Sequence, residues 1–134
     1  MPVGAAMTAT GITVSIARDP ALVRTVRLVA AAVARRASQD EEFVEEVRLA
    51  VGEACALLVG HDPQPDAGPV EVSMVMQDRL TVEVVASGPV AVDDEPHSDI
   101  DGVEPWALLR GLIDDFEIRR EGDTTTLSMS WPLV

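Results

Sequence analysis

The sequence predicts an α+β fold, a two-layer sandwich with helices on one face of a mostly antiparallel sheet. Three observations predict it. Short segments such as Ile12–Ile16, Val70–Met76 and Leu80–Ala86 alternate inward and outward residues with the period of a half-buried strand. Two longer segments after the first strand repeat apolar residues at helical spacing. The resulting order, β-α-α-β-β-α-β-β, suits helices layered on one face of a sheet built from hairpins. The chain has 134 residues, 47% of them apolar, which is enough for one buried core. No internal repeat and no second domain is legible. The expected organisation is a flexible stretch over residues 1–10 and a single domain over residues 11–134.

Taken in order, Ile12-Thr13-Val14-Ser15-Ile16 reads as the first strand. Asp19-Pro20 reads as a helix cap followed by proline at the first helical position. Leu22, Val26, Val29 and Val33 then form an apolar stripe, with Arg24, Arg27, Arg35 and Arg36 largely off it. Ser38-Gln39-Asp40-Glu41 has the form of a capping box, with Ser38 at the cap. The second helix carries Phe43, Val47, Ala50, Val51, Ala54, Leu57 and Leu58, and is expected to end near Gly60. Val70–Met76 and Leu80–Ala86 form a hairpin across Gln77-Asp78-Arg79. Residues 87–104 have no periodicity and hold six acids without a lysine or arginine. Trp106–Asp115 reads as helix. Phe116–Arg119 and Thr124–Trp131 close the fold as a hairpin around Glu121-Gly122-Asp123.

Composition excludes several function classes. The net charge is −13, and all ten basic residues are arginine. Nucleic acid is therefore not an expected partner, because phosphate binding needs a basic surface. A protein partner with a basic surface suits this charge. Cys55 is the one cysteine, which excludes an internal disulfide and a thiolate metal cluster. Nothing reads as a signal peptide, and the apolar run Leu28–Ala34 is too short to cross a membrane. A cytoplasmic location is the expectation.

The segment Val47-Arg48-Leu49-Ala50-Val51-Gly52-Glu53-Ala54-Cys55-Ala56-Leu57-Leu58-Val59-Gly60-His61 resembles the N box of the anti-sigma serine kinases of the GHKL (Bergerat-fold, HATPase-like) family, written LAVxEAxxNxxxH. The likeness to actinobacterial members extends more weakly from Ile12 to Leu133. In that family the glutamate orients or deprotonates the nucleophile, and the asparagine four residues on holds magnesium. Glu53 stands at the first position. Leu57 stands at the second and offers no oxygen to a hard cation. The family's Asp-x-Gly-x-Gly box aligns with Ala86-Ser87-Gly88-Pro89-Val90, where only Gly88 survives. The phosphate-cradling Gly-x-Gly aligns with Val103 and Pro105, and proline has no N–H to donate. Gly122-Asp123-Thr124 resembles the family's closing Gly-Thr.

The resemblance thus implies a degenerate kinase homologue. Glu53 is a vestigial catalytic candidate, and Gly88 and Thr124 are vestigial nucleotide positions. No metal site and no cofactor are expected. His61 reads as a helix-end residue, Cys55 as core filler and the acidic stretch 93–104 as solvated loop. The function implied is that of an anti-sigma factor in a stress or developmental response. It would sequester an alternative sigma factor and be released by a STAS-domain anti-anti-sigma partner. Arg24 matches an arginine that contacts both partners in the sporulation anti-sigma factors, and Arg27 extends the same surface. Relatives pair through the sheet edge and the first-helix region, which implies a homodimer. The alternative is an active kinase that uses Mg-ATP and Glu53 to phosphorylate a serine of the anti-anti-sigma factor.

Overall fold

The computed structural model describes residues 10–88 and 115–133. Strand β1 spans Thr10–Ile16 and is followed by a 3-10 turn over Pro20–Leu22. Helices α1 and α2 span Val23–Ala37 and Glu41–Val59. Strands β2 (Val70–Met76), β3 (Arg79–Ser87), β4 (Asp115–Glu121) and β5 (Thr124–Pro132) complete the described elements. All strand pairs are antiparallel, in the order β1-β2-β3-β5-β4. The two helices pack on one face of this five-stranded sheet, so the expected fold class holds.

Local chemistry fixes each boundary. Asp19 is extended, and its Oδ1 accepts from the Ala21 N–H at 3.0 Å, while Pro20 supplies a helical φ for the 3-10 turn. That turn leads into α1, which ends at extended Ser38 with Arg35 and Arg36 in its last turn, where they oppose the helix dipole. The cap of α2 is Asp40, in place of the expected Ser38. The Asp40 carboxylate accepts from the Glu42 N–H at 3.0 Å. Ser38 instead turns the connection, its Oγ accepting from the Asp40 N–H at 3.1 Å. An ionised oxygen is the stronger acceptor for an orphan helix N–H. Glu41, freed from the capping box, faces Arg35 at 3.7 Å on the surface.

The buried face of α1 is Val23, Val26, Ala30, Ala31, Val33 and Ala34. Leu22 and Val29, expected on the stripe, are only half-buried. Alanines that carry little weight in a hydropathy pattern set the inward face, because their small side chains let α1 lie close against its neighbours. Helix α2 buries a broader arc, from Val44 and Val47 through Gly52 and Cys55 to Leu58 and Val59. Beneath them Val70, Val72, Met74, Leu80, Val82, Val84, Ala86, Leu127 and Met129 form the sheet's inner face. Burial of each such valine or leucine contributes about 1.5–3 kcal/mol. The outer face is hydroxyl-rich, with Thr13 and Ser73 hydrogen-bonded at 3.2 Å.

Trp131 closes the far end of the core. It is nearly buried, and its indole Nε1 donates to the Glu46 carboxylate at 2.9 Å, tying β5 to α2. A hydrogen bond to a charged acceptor is worth about 1.5–3 kcal/mol. Glu46→Ala is therefore expected to lower the unfolding free energy by about that amount in urea titration, with a shifted Trp131 emission in the folded state.

Of the remaining expectations, the helix over Trp106–Asp115 lies outside the described residues except for Asp115, which opens β4. Residues 1–9 also lie outside them, and Thr10 opens β1.

Candidate functional site

Among the positions singled out in the sequence, Glu53 and Leu57 lie on the C-terminal half of α2, Ala86 and Gly88 at the end of β3, and Thr124 at the start of β5 beside it. Glu53 is half-buried on α2 and makes no hydrogen bond or ion pair among the described residues. One turn on, Leu57 packs against the apolar core. Ala86 points into that same core from β3 and is 0% exposed. Its register partners are Val70 and Thr125. A magnesium nucleotide needs oxygen ligands for the cation and a polar partner for the base. Leu57 and Ala86 offer neither, so these two positions do not fit such a ligand.

The structure brings Gly88 and Thr124 close together. Ser87 pairs with Thr124 in the β3–β5 ladder. The Gly88 N–H donates to the Asp123 carbonyl at 2.8 Å. Gly88 has φ +87°, a left-handed conformation that glycine adopts without strain. Gly122, at φ +61°, makes the tight turn that lets β4 and β5 pair. The aligned positions Val103 and Pro105, and the acidic stretch 93–104, lie outside the described residues.

A residue that sequence reasoning missed holds this corner. Arg18 is only 2% exposed, and its Nη2 donates to the Ser87 carbonyl at 2.9 Å. Its own carbonyl accepts from the Gln64 N–H at 2.9 Å, and the Gln64 amide donates to the Val59 carbonyl at 3.0 Å. Arg18 thus joins the end of β1, the exit of α2 and the end of β3. The signal was present, since the alternation Ile12, Val14, Ile16 carried on by two residues places Arg18 on the inward face. Arg18→Ala is expected to cost about 3 kcal/mol in denaturant unfolding, from a lost charged hydrogen bond and the space left behind.

Cys55 lies in the core. Burial pushes its thiol up to about 12, with the nearby Arg27 guanidinium opposing the shift. The folded state therefore holds the proton at a pH where the unfolded chain has released it. This contribution to stability is full below the ordinary thiol range and is lost as pH rises from about 8.5 through about 12. Alkylation of the native protein at neutral pH is expected to be slow, and mass spectrometry after iodoacetamide treatment checks it. His61 is exposed beyond α2. Among the described residues, no group of three or more His, Cys, Asp or Glu could hold a metal ion.

Arg24 and Arg27 lie one turn apart on α1. Arg24 is exposed and makes no ion pair among the described residues. Arg27 is half-buried and runs across α2 at Gly52. A Cβ placed on Gly52 would lie 2.6 Å from Arg27 Cγ and 2.3 Å from its Nε. Leu28, which the hydropathy pattern passed over, is 66% exposed beside Arg24. An open depression of about 430 Å³ elsewhere, lined by Arg79, Thr81, Asp115 and Ser130, lies at the β3–β5–β4 edge of the sheet. Arg79 there is already held by Asp115 and Ser130.

Two helices on an open antiparallel sheet, with the N-box helix packed against β3 and β2, define the class: the histidine kinase-like ATPase fold. The model of the family described as histidine kinase-like ATPase domain matches residues 16–131, and the chain belongs to that family. A crystal structure of the RsbU and RsbW domains of Rv1364c from Mycobacterium tuberculosis shares the fold, with a TM-score of 0.70 at 15% identity. The match covers 92% of this chain and 32% of that one, so the chain spans about a third of the protein it resembles. No curated protein matches. Among the described residues, no helix is long and apolar enough to cross a membrane.

Proposed function

We propose that this domain is an anti-sigma factor that works by surface docking and without ATP. It sequesters an alternative sigma factor of a stress or developmental response in the cytoplasm. A STAS-domain anti-anti-sigma partner releases that factor by competing for overlapping ground around Arg24 and Arg27. A homodimer is part of this reading. Family membership and the fold shared with an RsbW domain support it.

The observation that carries it is the charge of α1. The helix holds Arg24, Arg27, Arg35 and Arg36 and no acid, on a chain with net charge −13. Such a patch suits acidic partner segments, and the exposed Arg24 can make a bidentate pair with a carboxylate. Loss of nucleotide chemistry at Leu57 and Ala86 leaves this docking face as the functional surface. Glu53 is then an inherited carboxylate with no catalytic task.

The test is direct binding. The purified chain is titrated with the sigma factors and STAS-domain proteins encoded in its own genome, with and without Mg-ATP. One sigma factor and one STAS protein are expected to bind competitively, with affinities unchanged by nucleotide. Phosphate transfer to the STAS protein would instead establish the serine kinase reading.

A further inference from the structure

The outer surface of the helix layer is a trough whose two walls carry opposite charge. The short connection Gln39–Asp40 makes α1 and α2 antiparallel neighbours, and Arg27 of α1 lies against Gly52 of α2. That contact fixes the heights along the pair. Leu28 is level with residue 51, about 3 Å from the height of Leu49. On α1, Leu28 stands between Arg24 and Arg35, which share its side of the helix. On α2, Leu49 stands between Glu45 and Glu53, four residues to either side. Leu28 and Leu49 are 66% and 44% exposed, so each wall holds a large apolar side chain in water at its middle. Between the walls Ala31 and Gly52 are buried and small, which keeps the floor low.

The charges along these walls are incompletely paired. Arg24 and Arg27 make no ion pair among the described residues, and neither do Glu42 and Glu53 on the other side. Arg35 meets Glu41 only at 3.7 Å, in an exposed pair that exchanges at little cost. A uniformly acidic segment would satisfy α1 alone and meet like charge at Glu45 and Glu53. A uniformly basic one would meet like charge at Arg24 and Arg35.

We propose that this trough seats one amphipathic helix of a partner protein, with an apolar seam over Leu28 and Leu49, acids on the flank above α1 and bases on the flank above α2. The inference rests on the docking reading above for its partner and names the chemistry that occupies the ground around Arg24. A third helix can lie about 8–10 Å from both axes at once, the usual distance for packed helices. Its seam takes the two leucines out of water, as in other helix-in-groove contacts. Its flanks meet opposite charge on each side, which fixes the direction of the helix as well as its position. Neither described helix of this chain has that pattern. Helix α1 has four arginines and no acid, whereas α2 has five glutamates against the single Arg48. The occupant is therefore a different protein.

Designed peptides of about 20 residues, long enough to hold a helix alone, are the probes, titrated into the whole chain at physiological salt. All share one leucine seam. The first carries glutamate on one flank and lysine on the other, the second glutamate on both, and the third lysine on both. The mixed peptide is expected to bind the wild-type chain more tightly than either of the others, by about tenfold. Leu28→Asp and Leu49→Asp should each weaken it by about tenfold while leaving the circular dichroism spectrum unchanged. Reversing the α1 wall with Arg24→Glu and Arg35→Glu together should shift the preference to the all-lysine peptide. Failure of the mixed peptide to bind, equal binding of all three, or tightest binding of the all-lysine peptide by the wild-type chain overturns the proposal. So does a particle mass that falls on Leu28→Asp in light scattering, which assigns the trough to a second copy. The docking reading fails separately, when no sigma factor or STAS protein binds the wild-type chain. A sigma factor and a STAS protein that bind and both tolerate Leu49→Asp leave that reading standing and overturn this one.

Discussion

Replacing Arg24 by alanine is expected to weaken the binding of both proposed partners, a sigma factor and a STAS-domain protein, by about 2–5 kcal/mol if the Arg24 pair is buried at the interface. On an interface rim the loss would be under about 1 kcal/mol. The larger figure is expected because Leu28 stands exposed one turn away and can exclude water from the pair. The Arg24 side chain is exposed and pairs with nothing among the described residues, so the fold should not depend on it. Affinities for both partners are measured with thermal unfolding as the control. Lysine at position 24 should recover only part of the loss, since it cannot reproduce a bidentate guanidinium–carboxylate geometry. Unchanged affinity for both partners would reduce Arg24 to a solvated charge.

The second large effect is expected at Gly52, and its sign depends on Arg27. Glycine inside a helix costs about 0.8–1 kcal/mol relative to alanine, so Gly52→Ala would ordinarily stabilise α2. Here the new methyl group would sit within 2.3–2.9 Å of the Nε, Cγ and Cδ atoms of Arg27. The arginine must leave its seat across α2, and its half-buried stem loses that packing. Gly52→Ala is therefore expected to destabilise by about 1–3 kcal/mol in the natural background. In an Arg27→Ala background the same change should stabilise by about 1 kcal/mol. The cycle of four proteins then gives a coupling of about 2–4 kcal/mol, at or above the upper end seen for residues in contact. A coupling near zero in urea unfolding would mean that Arg27 does not rest on Gly52.

Much of this fold was legible in the sequence because strand alternation and hairpin turns are local signals. The inward set Val70, Val72, Met74, Leu80, Val82, Val84 and Ala86 follows from period two alone. The α1 face was less legible, because Ala30, Ala31 and Ala34 make contact by being small, whereas the larger Leu22 and Val29 dominate a hydropathy pattern. The cap of α2 was ambiguous for a similar reason, since Ser38 and Asp40 both suit a cap and the connection geometry chooses between them. At the candidate site, the apolar side chains of Leu57 and Ala86 could be read directly. Arg18 could have been found by extending the β1 alternation, but its partner carbonyl at Ser87 is 69 residues away and nothing local announces it. The seat of Arg27 on Gly52 is a contact between two helices that no single-segment pattern encodes.

In the proposed reading, an ATPase-family domain acts without its nucleotide. Isothermal titration of the purified chain with Mg-ATP at physiological magnesium tests it most directly. Leu57 gives no oxygen to the cation, and Ala86 is buried apolar surface where the base would need a polar partner. No heat of binding is expected up to millimolar nucleotide, with the same result for Glu53→Ala. A dissociation constant in the micromolar range would contradict it.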